Sequence, residues 1–234
     1  MKVNLISDNP ALKSISYDPK QIVTLDANLL IPPDRQRLTT RSFDFPRFQH
    51  MWLDPIFQAF PNLAIHEAVY DELVSPAVKL FVQTLIDATP PRLIIHRDST
   101  LTPTERVLRD SIEEKIYPLT QYDPLLDNRD DRGEVKTLAY IAVKGLPYFA
   151  AHDSNALQLV EKAEEWSTGL DNIQPIRMYE LIYYLYTMNL SEKRSLRVLY
   201  KYQYHLTKRE KETNPEWGLF IKGMDKLYNN PCGR

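Results

Sequence analysis

The run Gln21-Ile22-Val23-Thr24-Leu25-Asp26-Ala27-Asn28-Leu29-Leu30 is apolar enough to be buried on both faces, yet one carboxylate interrupts it near its end. A strand buried on both faces belongs to a parallel sheet, because helical crossovers place a layer on each side. Asp26 must then lie in a low dielectric, where an ionised carboxylate without partners is costly. In open α/β sheets the crevice beyond the carboxyl ends of the strands supplies such partners. One feature therefore implies both an α/β fold and the place of a site within it.

The rest of the chain repeats the alternation. The first strand spans 21–31 and stops at Pro32-Pro33, since proline cannot continue a central ladder. A connection over 32–63 is rich in proline, arginine and aromatic residues, with a short helix expected over 54–60. Helix is expected over 65–73, strand over 92–96, and helix over 103–117 with a proline in its first turn. Helix over 133–144 closes on Gly145, strand follows over 147–151, helix over 155–166 and strand over 173–176. Strands separated by helices of this length imply a parallel sheet covered on both faces. Beyond Arg177 the pattern is helical throughout: 178–188, 191–208, and a segment around Trp217 and Phe220.

The chain has 234 residues, which suits a core domain with an extension. No apolar run reaches 18 residues and Met1–Asp8 lacks a basic-then-apolar pattern, so neither a membrane span nor a secretory signal is expected and the cytoplasm is the default. The single cysteine, Cys232, rules out an internal disulfide and a thiolate zinc site. His66-Glu67 resembles the start of a zinc-protease helix motif, but the second histidine position holds Tyr70. Charge is unevenly spread: residues 1–176 carry 18 basic and 25 acidic side chains, and 177–234 carry 11 and 6. An acidic body with a basic appendage suits a protein that holds a cation in one place and meets a polyanion with another.

Four further acids recur at intervals that let them converge on Asp26: Glu72, Asp131, Glu134 and Asp153. On a helix from Ile65, the apolar positions Ile65, Ala68, Val69 and Leu73 share a face that includes Glu72, whereas Glu67 and Asp71 point away. Asp131 and Glu134 both reach the inner face set by Val135, Leu138, Ala139 and Ala142. Capping is the competing reading: Asp131 with Glu134 fits a helix N-terminus, and Asp153 fits an N-cap before Ser154-Asn155. Two carboxylates about 4 Å apart repel by roughly 4 kcal/mol at an effective dielectric of about 20, so a converging set calls for protonation or a cation. Carboxylates without His or Cys suit hard ions, Mg²⁺ or Mn²⁺ rather than Zn²⁺.

The segments Leu25-Asp26-Ala27-Asn28-Leu29-Leu30, Ala68-Val69-Tyr70-Asp71-Glu72-Leu73, Asp131-Arg132-Gly133-Glu134-Val135-Lys136-Thr137-Leu138-Ala139 and Ala151-His152-Asp153 resemble, in order and spacing, those of PIN-domain nucleases. The resemblance implies a three-layer α/β/α sandwich with a central parallel sheet over 16–188, plus a basic helical extension over 189–234. It implies Mg²⁺- or Mn²⁺-dependent endonucleolytic cleavage of RNA. By position, Asp26, Glu72, Glu134 and Asp153 are the expected metal-binding and catalytic acids, Asp131 an auxiliary metal ligand, and Asn28 a residue that orients a water or Asp26. Toxin components of toxin-antitoxin pairs are frequent in that family, so an antitoxin or other protein partner, and a homodimer, enter as expectations. Family members commonly carry Thr or Ser two residues before the last acid, where this chain has Ala151; the alternative is a PIN-fold module that binds RNA or protein without cleaving it.

RNA contacts have two candidate sources. The helix from Ser191 places Leu196, Leu199, Tyr202 and Leu206 on one face and Lys193, Arg194, Arg197, Lys201 and Lys208 on the other, where an ordinary solvated face competes with phosphate contact. Arg35, Arg37, Arg41 and Arg47 in the long connection form the second. A phosphatase using Asp26 as nucleophile ranks last, because Asn28 stands where such enzymes carry a second Asp. Tyr179, Tyr183, Tyr184 and Tyr186, at helical spacing, read as core or a subunit contact.

Overall fold

A computed structural model describes residues 2–35, 38–39 and 43–228. Five strands form one parallel sheet in the order β3-β2-β1-β4-β5, with β1 at Val23–Leu25, β2 at Leu63–His66, β3 at Ile94–His96, β4 at Tyr148–Ala151 and β5 at Gln174–Arg177. Every residue of β1, β2 and β4 is buried, whereas the edge strands β3 and β5 are partly exposed. The fold is thus the expected three-layer α/β/α arrangement. β1 lies between β2 and β4 in register Val23 to Leu63 and Val23 to Tyr148, so the chain winds outward in both directions from β1. That order places the reversal of winding between β1 and β4, and the crevice at such a switch point is where α/β sheets bind ligands.

In chain order the helices begin with α1 (Pro10–Tyr17), α2 (Phe45–Phe48) and α3 (Asp54–Ala59), the last two joined by a π turn over Gln49–Leu53. Then come α4 (Glu67–Glu72), α5 (Pro76–Ile86), α6 (Pro103–Ile116), α7 (Arg132–Val143), α8 (Ser154–Glu161) and α9 (Ala163–Trp166). They are followed by α10 (Met178–Thr187), α11 (Lys193–Tyr204), α12 (Lys208–Thr213) and α13 (Trp217–Tyr228). Local signals set several boundaries. Thr102 and Glu105 form a reciprocal capping box around Pro103 at the start of α6, and Gly145 leaves α7 in the left-handed region at φ +63°.

Two compact units divide the chain, and the division is discontinuous in sequence. Lys20–Ile31 with Phe60–Ile176 holds the sheet and α4 to α9; Met1–Pro19, Pro32–Ala59 and Arg177–Arg234 form a helical unit. The sheet unit therefore ends at 176, earlier than the 188 expected, and the helical unit is more than a C-terminal extension. Its stretches are tied by specific bonds: the Asn4 N–H donates to the Tyr179 hydroxyl at 3.3 Å and the Ser191 hydroxyl to the Met51 carbonyl at 2.9 Å. Tyr179, Tyr183 and Tyr184 are buried in it as core, and no helix among the described residues is long and apolar enough to cross a membrane.

Three expectations fail locally. Residues 63–66 form a central strand rather than the start of a helix, because three apolar residues and a buried histidine in a row carry no period that separates the two states. The first strand is three residues long, since the chain turns into a 3₁₀ segment at Ala27–Leu29 immediately after Asp26. The connection over 32–63 is largely helical from Phe45. Phe149 is 0% exposed at the centre of β4, so Phe149→Ala should cost about 3–5 kcal/mol in urea unfolding. Leu125→Ala, at 94% exposure, should stay within about 0.5 kcal/mol.

Candidate metal centre

Asp26 follows β1 directly. Its N–H donates to the Ala150 carbonyl at 2.9 Å, so one more ladder bond with β4 fixes its backbone before the chain turns away. The side chain is buried at 2% exposure. Burial pushes the Asp26 carboxyl up to about 7, with the charges of Glu72 and Asp153 adding to the rise and the N–H groups of Ala27 and Asn28 opposing it. Those two repulsions place three of the expected acids in one electrostatic neighbourhood.

Glu134, on the first turn of α7, completes it. Burial raises its carboxyl to about 9, and Asp26, Asp153, Asp131 and Glu72 all contribute in that order. Its Oε2 is buried and has no hydrogen-bond partner among the described residues. A buried acceptor left unpaired costs roughly 1–3 kcal/mol, more when charged, and is rare enough to need a reason. Thr137 Oγ1, one turn along, is likewise unpaired, and nothing in the structure explains it.

Glu72 ends α4 and reaches the N-terminus of α7, where the Gly133 N–H donates to its Oε1 at 2.5 Å. Burial raises the Glu72 carboxyl, while the Gly133 N–H and the Arg132 guanidinium draw it down. The part that Gly133 plays carries no signal in the sequence. A Cβ there would stand 2.6 Å from Glu72 Oε2, so the carboxylate docks on the helix end only because the side chain is missing. The spacing of Asp131 and Glu134 suggests a cap, and nothing in it points to this approach.

Asp153 caps α8 through Oδ1, which accepts from the Asn155 N–H at 2.6 Å. The capping reading of Asp153 therefore holds, and its electrostatic coupling to Asp26 and Glu134 holds beside it. Asp131 does not cap α7 with its side chain. It lies at φ +54° with Oδ2 accepting from the Gln121 N–H at 2.9 Å, which bends the preceding loop onto the helix start. Asn28 has a scaffolding role: its Oδ1 accepts from the His152 N–H at 2.8 Å, tying the turn after β1 to the turn after β4 and so fixing Asp26 relative to Asp153.

Positive charge near these acids is scarce. Arg132 lies closest to Glu72, and its Nε is engaged by Asp127 at 2.9 Å. A recess of about 390 Å³ bordered by Glu72 carries Lys79, Arg129 and Arg132 against Asp71, Glu72 and Asp127, an even balance. A different trio, His66, Glu67 and Asp98, brings ligand atoms within 4.8 Å of one another, closer than the acids of the cluster lie as a set. It is satisfied internally. His66 Nδ1 accepts from the Ala68 N–H at 3.2 Å, its Nε2 faces Asp98 Oδ1 at 3.3 Å, Glu67 Oε1 accepts from the Asp98 N–H at 2.9 Å, and Arg109 pairs with Asp98 at 3.4 Å. The two clusters differ in what is left unpaired, and only the Asp26 cluster leaves a buried carboxylate oxygen without a partner.

Of the expected RNA contacts, Arg37 and Arg41 lie outside the described residues, as does Cys232. Arg35 is not an exposed clamp: its guanidinium binds Glu210 Oε1 at 2.6 Å and the carbonyls of Tyr202 and Gln203 at 2.8 and 3.2 Å, inside the helical unit. Lys193, Arg197 and Lys201 are exposed on α11, with Leu196, Leu199 and Tyr202 buried opposite, as the helical spacing predicts. Compared with protein-family models, curated proteins and solved structures, the chain matches none.

The raised carboxyls set a pH dependence. The folded protein keeps protons on Asp26 and Glu134 up to about 7 and 9, whereas the unfolded chain releases them near 3.8 and 4.5. The unfolded state binds fewer protons across that window, so stability falls as pH rises through it. Without divalent ions the protein should melt several degrees lower at pH 9 than at pH 5, and Glu134→Gln should flatten the slope; a wild-type melting temperature that rises over this interval contradicts the assignment. Gly133→Ala should leave the melting temperature nearly unchanged, since alanine is the better helix former by about 1 kcal/mol, yet weaken Mn²⁺ binding at least fivefold in a calorimetric titration by displacing Glu72.

Proposed function

We propose that this chain is a metal-dependent endoribonuclease of the PIN type, hydrolysing RNA phosphodiester bonds at the crevice between the ends of β1 and β4. The observation that carries the reading is the buried, unpaired Oε2 of Glu134, held among Asp26, Glu72 and Asp153 at the switch point of the sheet.

The donor set supports a hard divalent ion. All four side chains are carboxylates, and no lysine or arginine pairs with Asp26 or Glu134 among the described residues. Asp26, Glu134, Asp153 and Glu72 would hold Mg²⁺ or Mn²⁺, with Asp131 adding negative charge from the helix start. A bound ion of this kind lowers the pKa of its water and stabilises charge developing at phosphorus. The protein's own part is positioning: Asn28 fixes the two turns against each other, the Gly133 N–H orients Glu72, and Asn155 holds one oxygen of Asp153. Each of the last two acids keeps its second oxygen for a ligand.

A second reading, a module of the same fold that binds RNA or protein without cleaving, is favoured by Ala151. It is fully buried at the end of β4 and supplies no hydroxyl beside Asp153. Incubation with a mixed RNA panel and Mn²⁺ or Mg²⁺ separates the two. Wild-type protein should cleave internally, EDTA should abolish cleavage, and Asp26→Asn should reduce it at least 100-fold. Equal cleavage by both proteins contradicts the acid assignment, and RNA binding without cleavage by either favours the second reading.

A further inference from the structure

The helical unit contains a groove of about 830 Å³ bordered by the start of α2, by α11 and by the approach to and body of α12. Its cationic residues are Arg47, Lys201 and Lys211, with the His205 ring beside them, and among the described residues the single acid in its wall is Glu216. Arg47, Lys201 and Lys211 are all exposed, and none of them takes part in an ion pair among the described residues. Of the cations nearby, Arg35 is held by Glu210 and Lys208 faces Glu212 at 4.0 Å, while Arg194, Arg197 and Arg209, also outside any ion pair among the described residues, do not line the groove. Three unpaired positive charges around one concavity repel one another, and a ligand carrying negative charge relieves that repulsion.

The floor is aromatic and fixed. Phe43 meets Tyr202 edge to face at 4.7 Å, and the Arg47 guanidinium lies over the Phe43 ring at 5.2 Å. The Arg35 N–H donates to the Tyr202 hydroxyl at 3.1 Å, and the Arg35 guanidinium grips the Tyr202 carbonyl, so the floor is anchored from below. Phe43 and Tyr202 are buried, so they brace the groove rather than offer a face for base stacking, and it is the cations spaced along it that match the phosphates of a single-stranded nucleic acid.

We infer that this groove binds a single-stranded RNA segment, with Arg47, Lys201 and Lys211 contacting its phosphates. The choice of RNA over another polyanion rests on the ribonuclease reading above, and the test measures binding without cleavage so that each can fail alone. Fluorescence anisotropy of a labelled 12-nucleotide RNA in EDTA would compare the wild-type chain, Lys201→Glu/Lys211→Glu, and the control Lys222→Glu/Lys226→Glu, which makes the same charge change at exposed positions of α13. The groove variant should bind at least tenfold more weakly, and its plot of log affinity against log salt should be shallower by about 1.4 for two lost single-strand phosphate contacts. The control should change less than threefold, and Lys201→Gln/Lys211→Gln, which introduces no repulsion, should also weaken binding. Equal losses in groove and control variants, or no loss in either, overturn the proposal. So does displacement of the RNA by poly-L-glutamate at matched charge, which would assign the groove to an acidic protein segment instead.

Discussion

The sheet unit depends on burying Asp26 beside Glu134. Two carboxyls removed from water at the end of a fully apolar strand cannot both ionise without a compensating charge, and the protein supplies almost none: Arg132 reaches only Glu72 and is itself engaged by Asp127. Each neighbouring feature limits or exploits that cost. The Asp26 backbone is locked to Ala150, Asn28 ties the two switch-point turns, and Gly133 gives up its side chain so that Glu72 can dock on the end of α7. A core built for stability alone would place an apolar residue at position 26. Retaining a carboxylate there is what makes the crevice a candidate for chemistry.

The contrast with His66, Glu67 and Asp98 sharpens the point. That trio is more tightly grouped, lies at the same edge of the sheet, and has a protein partner for each of its three side chains. Proximity of acidic groups is thus a weaker signal than an unpaired buried acceptor. The helical unit offers the same contrast in the opposite sign, with Arg35 satisfied by Glu210 and by backbone carbonyls while Arg47, Lys201 and Lys211 stand unpaired around one groove.

Much of this was legible in the sequence because burial on two faces and helical spacing leave strong periodic signals. The parallel sheet, the helices over 103–117 and 133–144 and the basic face of α11 all followed from such patterns. β2 did not, since Leu63-Ala64-Ile65-His66 has no period of its own, and the wheel that placed Glu72 on an inner face counted Ile65, which is strand. The role of Gly133 was illegible because it depends on a carboxylate 61 positions away. The discontinuous division of the chain was hidden for the same reason: contacts such as Asn4 with Tyr179 and Arg35 with Tyr202 join stretches that share no local signal.

The central claim is that the unpaired oxygen of Glu134 belongs to a divalent-ion site. Titrating Mn²⁺ into wild-type protein and into Glu134→Gln, followed by the paramagnetic resonance of the free ion, tests it most directly. The account predicts saturable binding to the wild type and at least a tenfold weaker affinity in the variant at unchanged fold; no saturable binding, or equal affinity in the two proteins, would contradict it.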